Sequence, residues 1–150
     1  MNTLLIISTI LCFGYIIVTK ILTPSLTCIS ETWYHYKYGF TAWCWASAFT
    51  VLPIMLEKTE TENWQFLGFL SCAALMVLGM FPRYQENEKI QHYTCALIAG
   101  LLAIIWTMFF TVWWAGLVVL VILIGVYFIL SLWYTEVLGL LTLYILLFLF

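Results

Sequence analysis

Between His92 and Phe150 the chain runs for 59 residues with a single formal charge, Glu136. A soluble domain has no place for such a stretch. A chain of 150 residues folded in water still exposes roughly 30% of its unfolded surface. The rest of the sequence matches this tail: 65% of residues are hydrophobic, 8% are charged and mean hydropathy is +1.09. Typical soluble domains carry about 25% charged residues. Five Lys and Arg make no basic face for phosphates, so no nucleic-acid partner is expected. Soluble enzymes and disordered chains are excluded on the same grounds. The remaining class is an all-α, polytopic transmembrane helix bundle, a single domain over residues 1–150.

A spanning helix needs about 20 apolar residues. The first run covers residues 3–22, ends at Thr23-Pro24 and places Lys20 where it can snorkel to the interface. A second covers 38–56, closes at Glu57-Lys58 and holds Pro53 in its last turn. A third covers 64–81 and stops at Pro82. Dividing the tail by about 20 gives three more. Trp113-Trp114 and Trp133-Tyr134 read as interfacial belts bracketing the fifth helix. The fourth then covers 92–110 and the sixth 134–150. Six helices are expected, or five if the tail holds only two.

Local signals sharpen the boundaries. Ser30 is a good N-cap, and Glu31 behind it suits the positive end of a helix starting there. Thr59-Glu60-Thr61-Glu62 fits a capping box, and Asn87 suits the start of the fourth helix. The N-terminus lacks a basic region and a small-residue cleavage site, so it reads as a retained helix. Four of the five cysteines (Cys12, Cys44, Cys72 and Cys95) lie in apolar runs and act there as small hydrophobes. Cys28 lies in a connection. Lys20, Lys37, Arg83 and Lys89 fall on one side of the membrane and Lys58 on the other. The positive-inside rule puts the first group in the cytoplasm. In lipid, helices approach through small residues. The pairs Gly68/Cys72 and Ala96/Gly100 therefore predict a tight centre of helices two to four, with helices five and six outside.

Ionisable groups in a membrane are expensive and invite a functional reading. Six helices bring Ser30, Glu31, His35, His92 and Glu136 to the cytoplasmic interface. His35, His92 and one of Glu31 or Glu136 would supply three ligands of a catalytic zinc site, with water as the fourth. Against this, no HxxxH or HExxH pair sets two ligands on one helix face. Capping, the helix dipole and headgroup contacts also account for the same residues. A transporter or channel would need a polar path, for which Ser8, Thr9, Ser47, Thr50, Ser71, Thr107 and Thr142 are the only midplane candidates.

Two stretches carry a resemblance. Pro24-Ser25, then Ile29-Ser30-Glu31 with the aromatic pair Trp33-Tyr34, follows the first helix. Gly79-Met80-Phe81-Pro82 precedes a charged loop, and Lys89-Ile90-Gln91-His92-Tyr93 opens the next helix. Over about residues 24–100 the chain resembles small six-helix membrane proteins of unknown function from Bacteroides-type bacteria and their phages. It is more remotely similar to DRAM/Sfk-type six-helix membrane proteins. The resemblance implies a multi-pass protein of a bacterial inner membrane. A more distant similarity to the CREST membrane hydrolases implies a zinc site to which Ser30 and His92 would belong. The Asp and the HxxxH pair of that family are absent. The expected function is binding of membrane lipids, or of a membrane-protein partner or second copy, within the bilayer, with no cofactor. A metal-dependent lipid hydrolase with a cytoplasmic-side site and a small channel or transporter are the alternatives.

Overall fold

The computed structural model describes residues 2–60, 62–81, 88–110 and 113–149, with backbone alone at Asn2, Trp113 and Ala115. Among the described residues the chain is entirely helical, with no strand. It forms α1 (Asn2–Leu22), a 3-10 turn (Ile29–Glu31), α2 (Thr32–Tyr36), α3 (Tyr38–Lys58), α4 (Gln65–Leu78), α5 (Lys89–Phe110), α6 (Trp113–Ile129) and α7 (Leu132–Leu149). Four of these, in α1, α3, α5 and α7, are long and apolar enough to cross a membrane. Helices α4 and α6 are apolar but shorter.

Seven α-helices stand where the sequence suggests six or five. The addition is α2, five residues long and built from the aromatic segment before the second long run. Tyr15 of α1 donates to Thr32 at 2.7 Å, and the Thr23 and Tyr36 hydroxyls lie 3.0 Å apart. These contacts dock α2 on α1. Lys37, with φ at 39°, then turns the chain into α3. That is a left-handed conformation few non-glycine residues adopt.

Capping differs from expectation. Ser30 caps nothing: the position before the 3-10 turn is Cys28, without a side-chain cap, and the Ser30 hydroxyl lies 3.3 Å from the Cys28 thiol. Helix α4 opens at Gln65, beyond the expected capping box, with no side-chain cap on Trp64. Thr59 instead donates back to the Met55 carbonyl at 2.8 Å. Its hydroxyl is satisfied inside α3 and is not available to begin a new helix. Asn87, Arg83 and Pro82 lie outside the described residues.

Helices α4 and α5 run antiparallel, and α3 and α5 end at the same level, as contacts at their ends show. The ring of Trp64, just before α4, stacks on that of Phe109 at the end of α5, 3.9 Å between centroids. His92 at the start of α5 meets Phe81 beyond the end of α4. Lys58 at the end of α3 sits over the Phe110 ring. The backbone N–H of Trp133, opening α7, donates to the Thr27 carbonyl in the α1–α2 connection.

The core sits on α1, α3 and α4. On α1 the buried residues are Leu5, Ser8, Cys12, Ile16 and Thr19, a stripe at the i, i+3, i+4 spacing of one helix face. Phe40, Trp43, Cys44, Ser47, Ala48, Val51, Ile54 and Met55 give α3 a broader buried surface, which suits its place between α1 and α4. Gly68 in α4 and Gly79 just beyond its end permit the close approach of α3. A Cβ on Gly79 would lie 2.9 Å from that of Cys44, and one on Gly68 would lie 3.2 Å from that of Met55. The small-residue reading of α4 therefore corresponds to real proximity.

Helix α1 belongs to this centre, which the sequence reading leaves to the second to fourth helices. Ser8 is the link. Thr50 of α3 donates to it at 2.8 Å, and its hydroxyl lies 2.7 Å from that of Tyr144 on α7. Among its described residues α6 buries no side chain. The outward surfaces are apolar: Ile10 is 66% exposed and Phe128 80%. That is the surface a lipid-embedded helix needs.

Two interfacial assignments change. Trp133 is buried and not a belt residue, while Tyr134 and Trp114 are exposed. Lys20 turns back on the end of α1, donating to the Pro24 and Leu26 carbonyls at 2.8 Å each, with its ammonium over the Trp133 ring.

Candidate functional site

Between the α1–α3–α4 core and helices α5, α6 and α7 lies a cavity of about 500 Å³, within the usual range for small-molecule sites. Its walls are almost wholly apolar. Along α5 it runs from His92 to Thr107, fifteen residues and therefore about 22 Å. The space is elongated along the bundle and exceeds the depth of one leaflet, about half of a 30 Å hydrocarbon core.

The α5 wall explains how the space arises. Ala96, Ala99, Gly100 and Ala103 line it. In the sequence, Ala96/Gly100 reads as a close-packing pair. In the structure Gly100 is itself exposed, and a Cβ built on it meets nothing within 4 Å. The two short side chains leave room where a neighbouring helix was expected. Ala99 differs by one detail: its carbonyl accepts a hydrogen bond from Ser71 of α4 at 2.8 Å. Helix α5 is thus held to α4 on one flank and stands off from α7 on the other.

One end of the cavity is polar, and it draws on the expected cluster. Ser30, His92 and Glu136 all line it. Ser30 comes from the 3-10 turn and is 6% exposed; His92 comes from the first turns of α5 and is 4% exposed. His92 Nδ1 donates to the Phe81 carbonyl at 2.7 Å, which anchors the start of α5 on the end of α4. The Glu136 carboxylate accepts the Ile29 backbone N–H. That bond ties the first turns of α7 to the turn carrying Ser30, so the three residues reach one end of the space from three separate elements.

The other two members of the expected cluster lie apart. The Glu31 carboxylate accepts from the Thr27 N–H at 2.6 Å and from the Thr27 hydroxyl at 2.9 Å. It orders its own connection and does not line the cavity. His35 is exposed on α2, its ring beside that of Tyr36. The zinc reading drew ligands from both. Among the described residues no group of three His, Cys, Asp or Glu gathers to hold a metal ion. The physical reason is the docking of α2 on α1, which carries His35 to the outside of the bundle.

Two features escape the sequence. Tyr144 lines the cavity while its hydroxyl joins Ser8. As one aromatic in a long apolar run it carries no signal of this role. The second is Ser47, which is 4% exposed and borders the cavity, while its hydroxyl is buried against the Cys12 thiol. Its position among the midplane hydroxyls is legible in the sequence; its pairing with a thiol on another helix is not. No family model matches the sequence, and no curated protein or solved structure matches it.

Proposed function

We propose that this chain is an integral membrane protein that crosses the bilayer six times and holds an amphiphilic lipid in the cavity between its two halves. The observation that carries the reading is the α5 wall. Its small residues border open, apolar, elongated space. In lipid a groove of this kind, left unfilled, would forfeit dispersion contacts of the groups along it. Hydrocarbon tails surround the bundle on all sides and fill such space at little cost, since lipid is already their solvent. The polar end suits the head of the same molecule. A carboxylate, an imidazole and a hydroxyl there can hydrogen-bond an uncharged, hydroxyl-bearing head such as glycerol.

Six crossings would use α1, α3, α4, α5, α6 and α7, and the antiparallel pairing of α4 with α5 supports them. Helix α4, 14 residues and about 21 Å, and α6, 17 residues and about 26 Å, fall short of a 30 Å core. Local thinning of the bilayer accommodates short spans. The basic residues then place the Ser30–His92–Glu136 end in the cytoplasmic half. A bacterial inner membrane is the location the sequence resemblance favours.

The test is direct. Protein purified in mild detergent, washed and extracted, is expected to release about one lipid per chain by quantitative mass spectrometry. Protein free of lipid at that stoichiometry, yet folded, contradicts the proposal.

A further inference from the structure

The cavity has nearly the same length on three of its walls. Its lining covers Phe40 to Met55 on α3, His92 to Thr107 on α5 and Leu132 to Leu146 on α7. Those stretches rise by about 22, 22 and 21 Å. A staggered hydrocarbon chain advances about 1.25 Å per carbon, from C–C bonds of about 1.5 Å at tetrahedral angles. The three walls therefore match one extended chain of about 17 carbons.

Volume gives a second measure. An apolar cavity of about 150 Å³ holds one benzene, or about 25 Å³ per carbon. At that packing the space of about 500 Å³ holds about 20 carbons. One long chain and the start of a small head use all of it. A lipid with two such chains needs roughly twice the room.

The ends set further limits. At the polar end Ser30, Phe40, Leu78 and His92 line the space and are all buried. The exposed lining residues are Leu97, Gly100 and Leu101, about 8–14 Å along α5 from His92. The groove thus opens to lipid at mid-length and not beside the head. A two-chain lipid branches at its head, and there, among the described residues, the lining is buried or half-buried. At the far end, just beyond Thr107, Phe110 stacks on Trp106 and lies under the Lys58 ammonium, and Trp64 stacks on Phe109. Aromatic rings beside a charge mark the membrane interface, so the apolar stretch stops there.

We propose that the cavity takes a single-chain amphiphile, with an extended chain of about 17 carbons, and disfavours two-chain lipids. Its ligand is then a lipid of the monoacylglycerol kind, drawn sideways from the bilayer. The proposal rests on the lipid-binding reading above and narrows its ligand from membrane lipids in general to those with one chain.

The test places the full chain in nanodiscs of dioleoyl phosphatidylcholine. The probe is stearoyl glycerol with a diazirine at the chain end, and mass spectrometry maps the peptides labelled on irradiation. Label is expected near Thr107 and Leu146. Unlabelled stearoyl glycerol is expected to suppress it about tenfold better than lauroyl, behenoyl or distearoyl glycerol. Ala103→Phe sets a ring about 16 Å along α5 from His92 and is expected to shift the preference to lauroyl glycerol. If distearoyl glycerol competes as well as stearoyl glycerol on the wild type, or the three monoacyl lengths compete alike, the single-chain fit is overturned and the lipid cavity stands. If no glyceride suppresses labelling at this site, both readings fall.

Discussion

Helices α3 and α5 are nearly equal in length, at 21 and 22 residues, and both are rich in small side chains. Yet 44% of the α3 span is buried, against 11% of the α5 span. The difference lies in what their small residues and neighbours do. Where α3 meets α4, Gly68 and Gly79 let backbones approach until an added methyl would touch. On α5, Gly100 faces nothing within 4 Å. The same residue type serves contact at Gly68, Gly79 and Gly116, the last against Met108 of α5, and borders open space at Gly100 and Gly14. Small-xxx-small spacing alone cannot distinguish the two, because it records the absence of a side chain and not what fills the gap.

The contrast can be broken by substitution, and the largest effect is expected at Trp106. This residue is fully buried and stacks on Phe110 with centroids 4.7 Å apart. In soluble cores such a truncation costs about 3–5 kcal/mol. With lipid as the solvent the transfer part shrinks, so Trp106→Ala is expected near the lower end, about 3 kcal/mol, by equilibrium unfolding in micelles. Trp106→Phe should cost much less, because its indole N–H has no hydrogen-bond partner to lose.

Gly79→Leu comes next. It forces atoms into Cys44 and the Thr41 backbone, and overpacking of this kind costs about 1–3 kcal/mol. A stability equal to wild type would mean that α3 and α4 are not closely packed there.

Tyr144→Phe removes the bond to Ser8 that ties α7 to α1. Intramembrane hydrogen bonds average about 0.6 kcal/mol, so a loss of that order is expected in the same unfolding assay. A much larger loss would place Tyr144 in the tight half.

The smallest effect belongs to Gly100→Leu. Its new side chain enters open space, so stability should stay within about 0.5 kcal/mol of wild type. A loss as large as that of Gly79→Leu would abolish the distinction between the halves.

The sequence reads well where one physical quantity dominates. The charge-poor tail dictates helices in lipid, and Thr23-Pro24 marks the end of α1. The run before Glu57-Lys58 sets α3. It reads less well where partners decide. Ser30, Glu31 and Thr59 have the residue types of helix caps, but each finds a nearer partner in its own segment. His35 and His92 looked alike as members of one cluster. They separate because α2 docks on α1 through Tyr15 and Tyr36, a tertiary contact with no local signature. Glu136 lines the same cavity as Ser30 and His92, and its carboxylate accepts the Ile29 N–H. The cavity itself was invisible, because empty space has no residue to encode it.

The most direct measurement compares bound lipid in the wild type and in Gly100→Trp. The indole would occupy the open space without touching the α3–α4 contact. The expected result is about one lipid per wild-type chain and a loss of that lipid in Gly100→Trp, with the unfolding midpoint unchanged or raised. Equal lipid content in two folded proteins would contradict the claim that the space between the halves is a binding site.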